Sequence, residues 1–372
     1  MSSEWCFDER TMKDFDEQCI KAIDKIRQRR VTDTDEIAVS TARFFKEIIY
    51  ESQGDDIEAL INTIRHYGHM LQQANPSEYV IKNVMFRVLF LIRDQYLAAV
   101  RGTTNDVQYF APSLDTLIKN AGQHTDVPFN IPVINIKKSV ADLIERPNST
   151  TNADEESLVD SIQRSIEEIS ASAPKHIHPS EVVLVHGYSK VTIEFLLAAA
   201  DEMQGESFEV IVVERAPSMD GHQTASELAD CDGITVTLIP DSAVLACMAK
   251  VDIVLLEPRA ILGDGTLMVP SGGQNIAIAA RRYHVPVLAL AGVHRLSPLH
   301  VCRDAPVRQG AADTLADAST AILEDTIVVS PEHDMILPYR YKILITDDGD
   351  HGVSYVYRLL TELYHHVDFS PV

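Results

Sequence analysis

Basic residues are the scarce class in this chain: 32 lysines and arginines stand against 55 aspartates and glutamates, a formal net charge of -23 over 372 residues. So acidic a chain repels a phosphate backbone, which excludes direct nucleic-acid binding unless a local basic patch overrides the field. The acidity suits partners that present basic surface, and it also serves plain solubility. Cysteines number five, at positions 6, 19, 231, 247 and 302, with no CxxC pair. That odd, unpatterned set excludes a disulfide frame and reads as reduced thiols of the cytosol. No apolar run approaches the roughly 18 residues of a membrane span. The opening stretch MSSEWCFDER is acidic and has no apolar core, so no secretory leader is expected in it.

What is present is ordinary globular material, 45% hydrophobic and 23% charged, long enough for two domains. Four amphipathic segments come first: Thr11 to Arg29, a segment opened by Asp33, Asp55 to Ala74, and Ser77 to Arg101. Their apolar residues recur at three- and four-residue steps, as in Ile57, Leu60, Ile61, Ile64 and Leu71, and predict a helical domain over about 1–165. Asp33 with Glu36 three residues on comes close to a capping box. Residues 102–152, with VPFNIPV and ERPNSTTNADEE, read as a poorly ordered insertion. A further helix is expected over Ser157 to Ala173. From 175 to 372 the pattern alternates. Continuous apolar runs at Val182–Val185, Val210–Val213, Ile234–Leu238, Ile253–Leu256, Val285–Leu290, Ile327–Val329 and Ile343–Ile345 are separated by helical stretches, including Ser242–Lys250. Such runs predict a mostly parallel sheet covered on both faces, an α/β fold.

The places where chemistry could sit are the loops that follow strands. His186-Gly187-Tyr188-Ser189 ends the first strand, yet it has one glycine only and matches neither a dinucleotide fingerprint nor a nucleophile elbow. Ser189 is expected to cap the next helix. Glu214-Arg215-Ala216-Pro217 follows the second strand, where an arginine could hold a phosphate or lie at a surface turn. Asp264-Gly265 reads as a turn. Pro270-Ser271-Gly272-Gly273 opens a helix whose free N–H groups could receive an anion. His176 and His178 lack the further ligands of a metal site, and Asp347-Asp348-Gly349-Asp350 lacks the closing glutamate of a calcium loop, so no metal is expected.

HIHPSEVVLVHGYSK, VIVVERAPSMDGHQTASEL, VDIVLLEPRAILGDGTLMVPSGGQNIAIAARRYHVPVLAL and SYVYRLLTELYH together resemble the regulatory subunits of eukaryotic translation initiation factor 2B. The tail Ser354 to His365 points to the beta branch of that family. The likeness is dense over 175–372, weaker over NPSEYVIKNVMFRVLFLIRDQY, and absent across 102–150. It implies a Rossmann-like second domain and kinship with sugar-phosphate isomerases such as methylthioribose-1-phosphate isomerase. Those enzymes carry a cysteine where Gly187 stands, between His186 and Tyr188, and an aspartate where Arg259 stands. Their Asn-Lys pair falls on Val269-Pro270. Proton transfer between adjacent carbons needs an acid and a base at the substrate; Gly187 has no side chain and Arg259 keeps its proton. The expectation is therefore a vestigial pocket formed by His186, Gly187, Tyr188, Arg259, Gly272 and Gly273, without catalytic residues or cofactor.

The resemblance further implies a non-catalytic regulatory subunit of the guanine-nucleotide exchange factor for initiation factor 2. Its partners would be the alpha, gamma, delta and epsilon subunits and initiation factor 2 with its phosphorylated alpha subunit. Glu214, Arg215, Gly221 and His222 are the residues it places at the core interface and regulatory pocket. Two alternatives stay open: a working isomerase, or a subunit that keeps a sugar-phosphate or nucleotide as a regulatory ligand. Glu257-Pro258 and Asp264 depart from the family's usual residues, as does the unusual stretch 303–324.

Overall fold

The computed structural model describes residues 15–17, 19–24, 33–52, 57–103, 133–145, 157–203, 206–300, 327 and 329–369. Three long helices come first, α1 (Thr34–Glu51), α2 (Ile57–Ala74) and α3 (Tyr79–Thr103). The Asp33 carboxylate caps α1 by accepting from the Asp35 N–H at 3.2 Å, one residue short of the bond a capping box makes. The predicted stripes face inward: Ile37, Phe45 and Ile48 meet Leu60, Ile64 and Leu71, with Val84 and Leu89 of α3 in the same cluster.

The insertion expected near 102–152 contains a helix, α4 (Val133–Ile144). Ile136, Val140 and Ile144 are buried as it packs on α1 and α3. Pro128 and Pro132 read as breakers, but a proline just ahead of a first helical turn removes no helical hydrogen bond. The rest of that stretch lies outside the described residues. Ser157 caps α5 (Leu158–Ser170), its hydroxyl accepting the Asp160 N–H at 3.2 Å.

Ten strands follow among the described residues: β1 (Val182–His186), β2 (Phe208–Val213), β3 (Ile234–Ile239), β4 (Ile253–Leu256), β5 (Ala260–Ile261), β6 (Leu267–Pro270), β7 (Val287–Leu290), β8 (His333–Ile336), β9 (Ile343–Thr346) and β10 (Gly349–Gly352). Between and after them lie α6 (Lys190–Glu202), α7 (Gly221–Ala229), α8 (Val244–Cys247), α9 (Gly273–Tyr283), α10 (Val356–Leu363) and α11 (His366–Phe369). Seven strands form one sheet in the order β10-β9-β7-β4-β1-β2-β3, parallel except where β10 meets β9. The chain starts in the middle at β1, steps outward through β2 to β3, then crosses back to β4. The crevice beyond the carboxyl ends of β1 and β4 is therefore the switch point, where open α/β sheets hold their ligands.

Alternate residues of the central strands feed opposite faces. Val183 and Val185 join the core with α6, while Leu184 joins a cluster that runs without a break into α1, α2 and α3. A second, antiparallel sheet of β5, β6 and β8 flanks the crevice and was not anticipated. The strand expected at Ile327–Val329 is absent: both named residues lie outside any strand, and Ile327 is 90% exposed. The strand nearby is β8, His-Asp-Met-Ile, whose polar sequence hides it from a search for apolar runs. The helix expected over Ser242–Lys250 is a 3-10 turn, the single turn of α8, and a second 3-10 turn.

Candidate functional site

β1 delivers His186 and then Gly187, whose φ of 63° lies in the left-handed region that glycine enters freely. A Cβ added there would lie 2.8 Å from Arg215 Cδ and 2.8 Å from Asp220 Oδ1. The volume a side chain at 187 would need is thus filled by an Arg215–Asp220 ion pair reaching over from the loop after β2. Arg215 Nε also donates to Ser218 Oγ at 3.1 Å. The next residue in the register, Asp241 after β3, accepts the Ala216 N–H at 2.7 Å and ties this loop down.

The His186 ring is buried against Gly272, and its Nε2 stands 4.0 Å from Asp241 Oδ1 without a hydrogen-bond partner. Burial, reinforced by the Arg215 charge, pushes its pKa down to about 3, so the imidazole is neutral near pH 7. A base that weak is poorly matched to proton transfer at neutral pH. Tyr188 is half-buried, and Ser189 caps α6 as expected, accepting the Thr192 N–H at 3.0 Å.

The opposite wall comes from the end of β4. Arg259 Nη1 lies 3.4 Å from Glu78 Oε2, a carboxylate delivered by the turn before α3. Glu257 pairs with Arg295, which is 3% exposed, donates to Asp35 Oδ1 at 2.8 Å from Nη2, and reaches the Pro258 carbonyl at 3.1 Å. His294 Nε2 is 2.8 Å from the same Asp35 oxygen. Burial alone would raise the Asp35 carboxyl, but Arg295 and His294 outweigh it and hold the group well below the usual carboxylate range. The charges on this wall are matched within the protein, across the seam between helices and sheet.

At the floor, Asp334 Oδ2 accepts the N–H groups of Gly272 at 2.8 Å and Gln274 at 3.2 Å. The start of α9, expected to offer free donors to an anion, is capped by the chain's own carboxylate from β8. Asp264 is a turn aspartate, accepting from the Thr266 N–H at 2.9 Å. His176 meets Asp350 at 3.1 Å, and among the described residues no group of three or more histidines, cysteines or carboxylates could hold a metal ion.

The crevice at the switch point thus has a glycine at its first strand end, an ion pair filling the space beside it and a second wall whose charges are paired. The initiation factor 2 subunit family matches residues 30–351. The chain belongs to that family. It is 28% identical to the translation initiation factor eIF2B subunit beta of Dictyostelium discoideum, over 91% of this chain and 93% of that one. It is 26% identical to a ribose 1,5-bisphosphate isomerase of Haloferax volcanii over 60% of this chain and 71% of that one. The fold is that of eIF2B beta from Chaetomium thermophilum, with a TM-score of 0.72, 22% identity and 97% coverage of each chain. A chain of the tetrameric eIF2B-beta2-delta2 complex from C. thermophilum superposes with a TM-score of 0.70 at 22% identity, covering 95% of this chain and 98% of that one.

Within this family member the residues picked out in the sequence divide in two. His186, Gly187, Arg215 and Gly272 come together in the crevice, with Arg259 on its far wall. Gly221 and His222 open α7 directly after Asp220, and Thr224 one turn on donates to the Gly187 carbonyl at 2.8 Å. A Cβ at 221 would lie 2.3 Å from the Val213 carbonyl oxygen, so the close seating of α7 on β2 needs glycine. His222 is exposed beside Met219, which is 45% exposed, while Glu214 is half-buried. Arg215 is turned inward to Asp220. The groups that fill or cap the crevice, Asp220, Asp241, Asp334, Glu78 and Arg295, were missed. Asp220, immediately ahead of the Gly-His pair, is the one whose position in the sequence could have drawn notice.

Proposed function

We propose that this chain is a non-catalytic regulatory subunit, of the beta type, of the guanine-nucleotide exchange factor for translation initiation factor 2. It works in the cytosol by docking with the alpha, gamma, delta and epsilon subunits. With them it helps the assembly respond to phosphorylation of the alpha subunit of initiation factor 2, a charge switch that favours one mode of binding over another. The observation that carries the reading is Gly187, with the Arg215–Asp220 pair occupying the space beside it. Support also comes from the near full-length likeness to eIF2B beta and from the beta–delta composition of a structurally similar complex. The exposed His222, which the buried Gly221 sets at the start of α7, belongs to the docking face.

Incubation of the purified chain with ribose 1,5-bisphosphate and with methylthioribose 1-phosphate tests the absence of chemistry. Product should not rise above the blank; turnover abolished by a crevice substitution would restore the isomerase reading. Arg215 and Arg259, whose side chains are 20% and 32% exposed on the crevice rim, favour a second reading in which a sugar phosphate is kept as a regulatory ligand. A thermal-shift series with the same two compounds separates the readings, because a ligand at a hundred times its Kd stabilises by about 2.7 kcal/mol.

A further inference from the structure

Residues 270–284 and 335–346 carry Arg281, Arg282, Arg340 and Lys342 without one aspartate or glutamate. The fold brings them together, because α9 packs against the 3-10 turn Pro338–Arg340. At the centre is Tyr339, 59% exposed, with the Arg281 guanidinium 4.9 Å and that of Arg340 5.6 Å from its ring centroid. Exposed Ile278 and Tyr283 on α9 and Leu337 beside the turn rim the cluster. Ile278 precedes Arg281 and Arg282 by three and four residues, so the three share a helix face.

These arginines differ from others in the chain. Arg43, Arg65, Arg93, Arg259 and Arg295 each meet a carboxylate. Arg281, Arg282 and Arg340 meet none among the described residues, and Arg340 Nε and Nη1 are buried without a hydrogen-bond partner. Guanidinium groups on a tyrosine, ringed by aliphatic side chains, have the composition of a protein-docking centre. A symmetric contact with a second copy would set these cations against their own images. A nucleic acid, a long polyanion, would extend past this patch over the acidic surface of a chain of net charge -23, whereas a short acidic segment need not.

We propose that the surface formed by α9 and Leu337–Lys342 docks an acidic segment of a partner protein. Its carboxylates take the exposed guanidinium donors of Arg281 and Arg282, and an apolar or aromatic side chain of the segment lies on Tyr339, Ile278 and Leu337. The inference goes beyond the subunit reading and does not depend on it.

Fluorescence anisotropy of the purified full chain with a labelled glutamate–tyrosine copolymer tests it, at about 50 mM and about 300 mM salt. Binding is expected at the lower salt and weakening at the higher. Arg281→Glu with Arg282→Glu should weaken it at least about tenfold, and Tyr339→Ala by severalfold, with the melting temperature unchanged. Absence of binding by the unaltered chain, or equal binding by the charge-reversed one, overturns the proposal. So does a labelled single-stranded oligonucleotide that binds more tightly than the copolymer and is lost on the same reversal. Self-association of the unaltered chain that the reversal abolishes would overturn it too.

Discussion

At the residue scale, position 187 decides what the crevice can do. Gly187→Cys would restore the thiol implied by the isomerase resemblance, but it must hold φ near 63° and displace Arg215 and Asp220. We expect it to lose about 1–3 kcal/mol in urea unfolding and to gain no turnover, since Arg259 still occupies the partner position. His186 makes a second prediction. Its folded pKa, about 3, lies below the ordinary 6.5, so as pH falls the unfolded chain takes the proton first. Stability from this group is present above pH 6.5 and is lost toward pH 3, at up to roughly 1.4 kcal/mol per pH unit. Asp35, held low, adds loss of the same sign below the ordinary carboxylate range, whereas Asp220, raised by burial, acts in the opposite sense just above that range. Comparing urea unfolding of the unaltered chain with His186→Gln between pH 4 and 6.5 isolates the histidine. The difference should shrink as pH falls.

At the scale of elements, the seam between helices and sheet rests on Arg295. Asp35→Ala leaves a guanidinium that is 3% exposed with Glu257 alone, and the cost should be about 3–5 kcal/mol in urea unfolding. Adding Arg295→Met removes a contact that the first substitution has already broken, so the double variant should lose less than the two single losses summed, by about 0.5–3 kcal/mol. Most elements were legible in the sequence for plain reasons. α1, α2 and α3 bury one stripe each, and β1, β2 and β4 are buried on both faces, so periodicity and continuous apolar runs announce them. β8 was not legible, because Asp334 spends its side chain on α9 and only Ile336 of the strand is buried. α4 was hidden by the prolines ahead of it. In the crevice, the positions of His186, Gly187 and Arg215 followed from strand ends. Their partners did not, since Arg259 reaches Glu78 across 181 residues and no local pattern marks such a pair.

At the scale of the whole molecule, the chain is a member of the initiation factor 2 subunit family in which an Arg215–Asp220 pair fills the space beside Gly187, and the proposed function rests on its surfaces. One proposed docking surface is the start of α7 at His222; the other is the basic, tyrosine-centred face of α9 on an otherwise acidic chain. The direct test of docking in place of chemistry is affinity purification of the tagged full chain from its native lysate, with every co-purifying protein identified by mass spectrometry. The account predicts that the alpha, gamma, delta and epsilon subunits of initiation factor 2B elute with it. Elution of the chain without a delta-type subunit would contradict it.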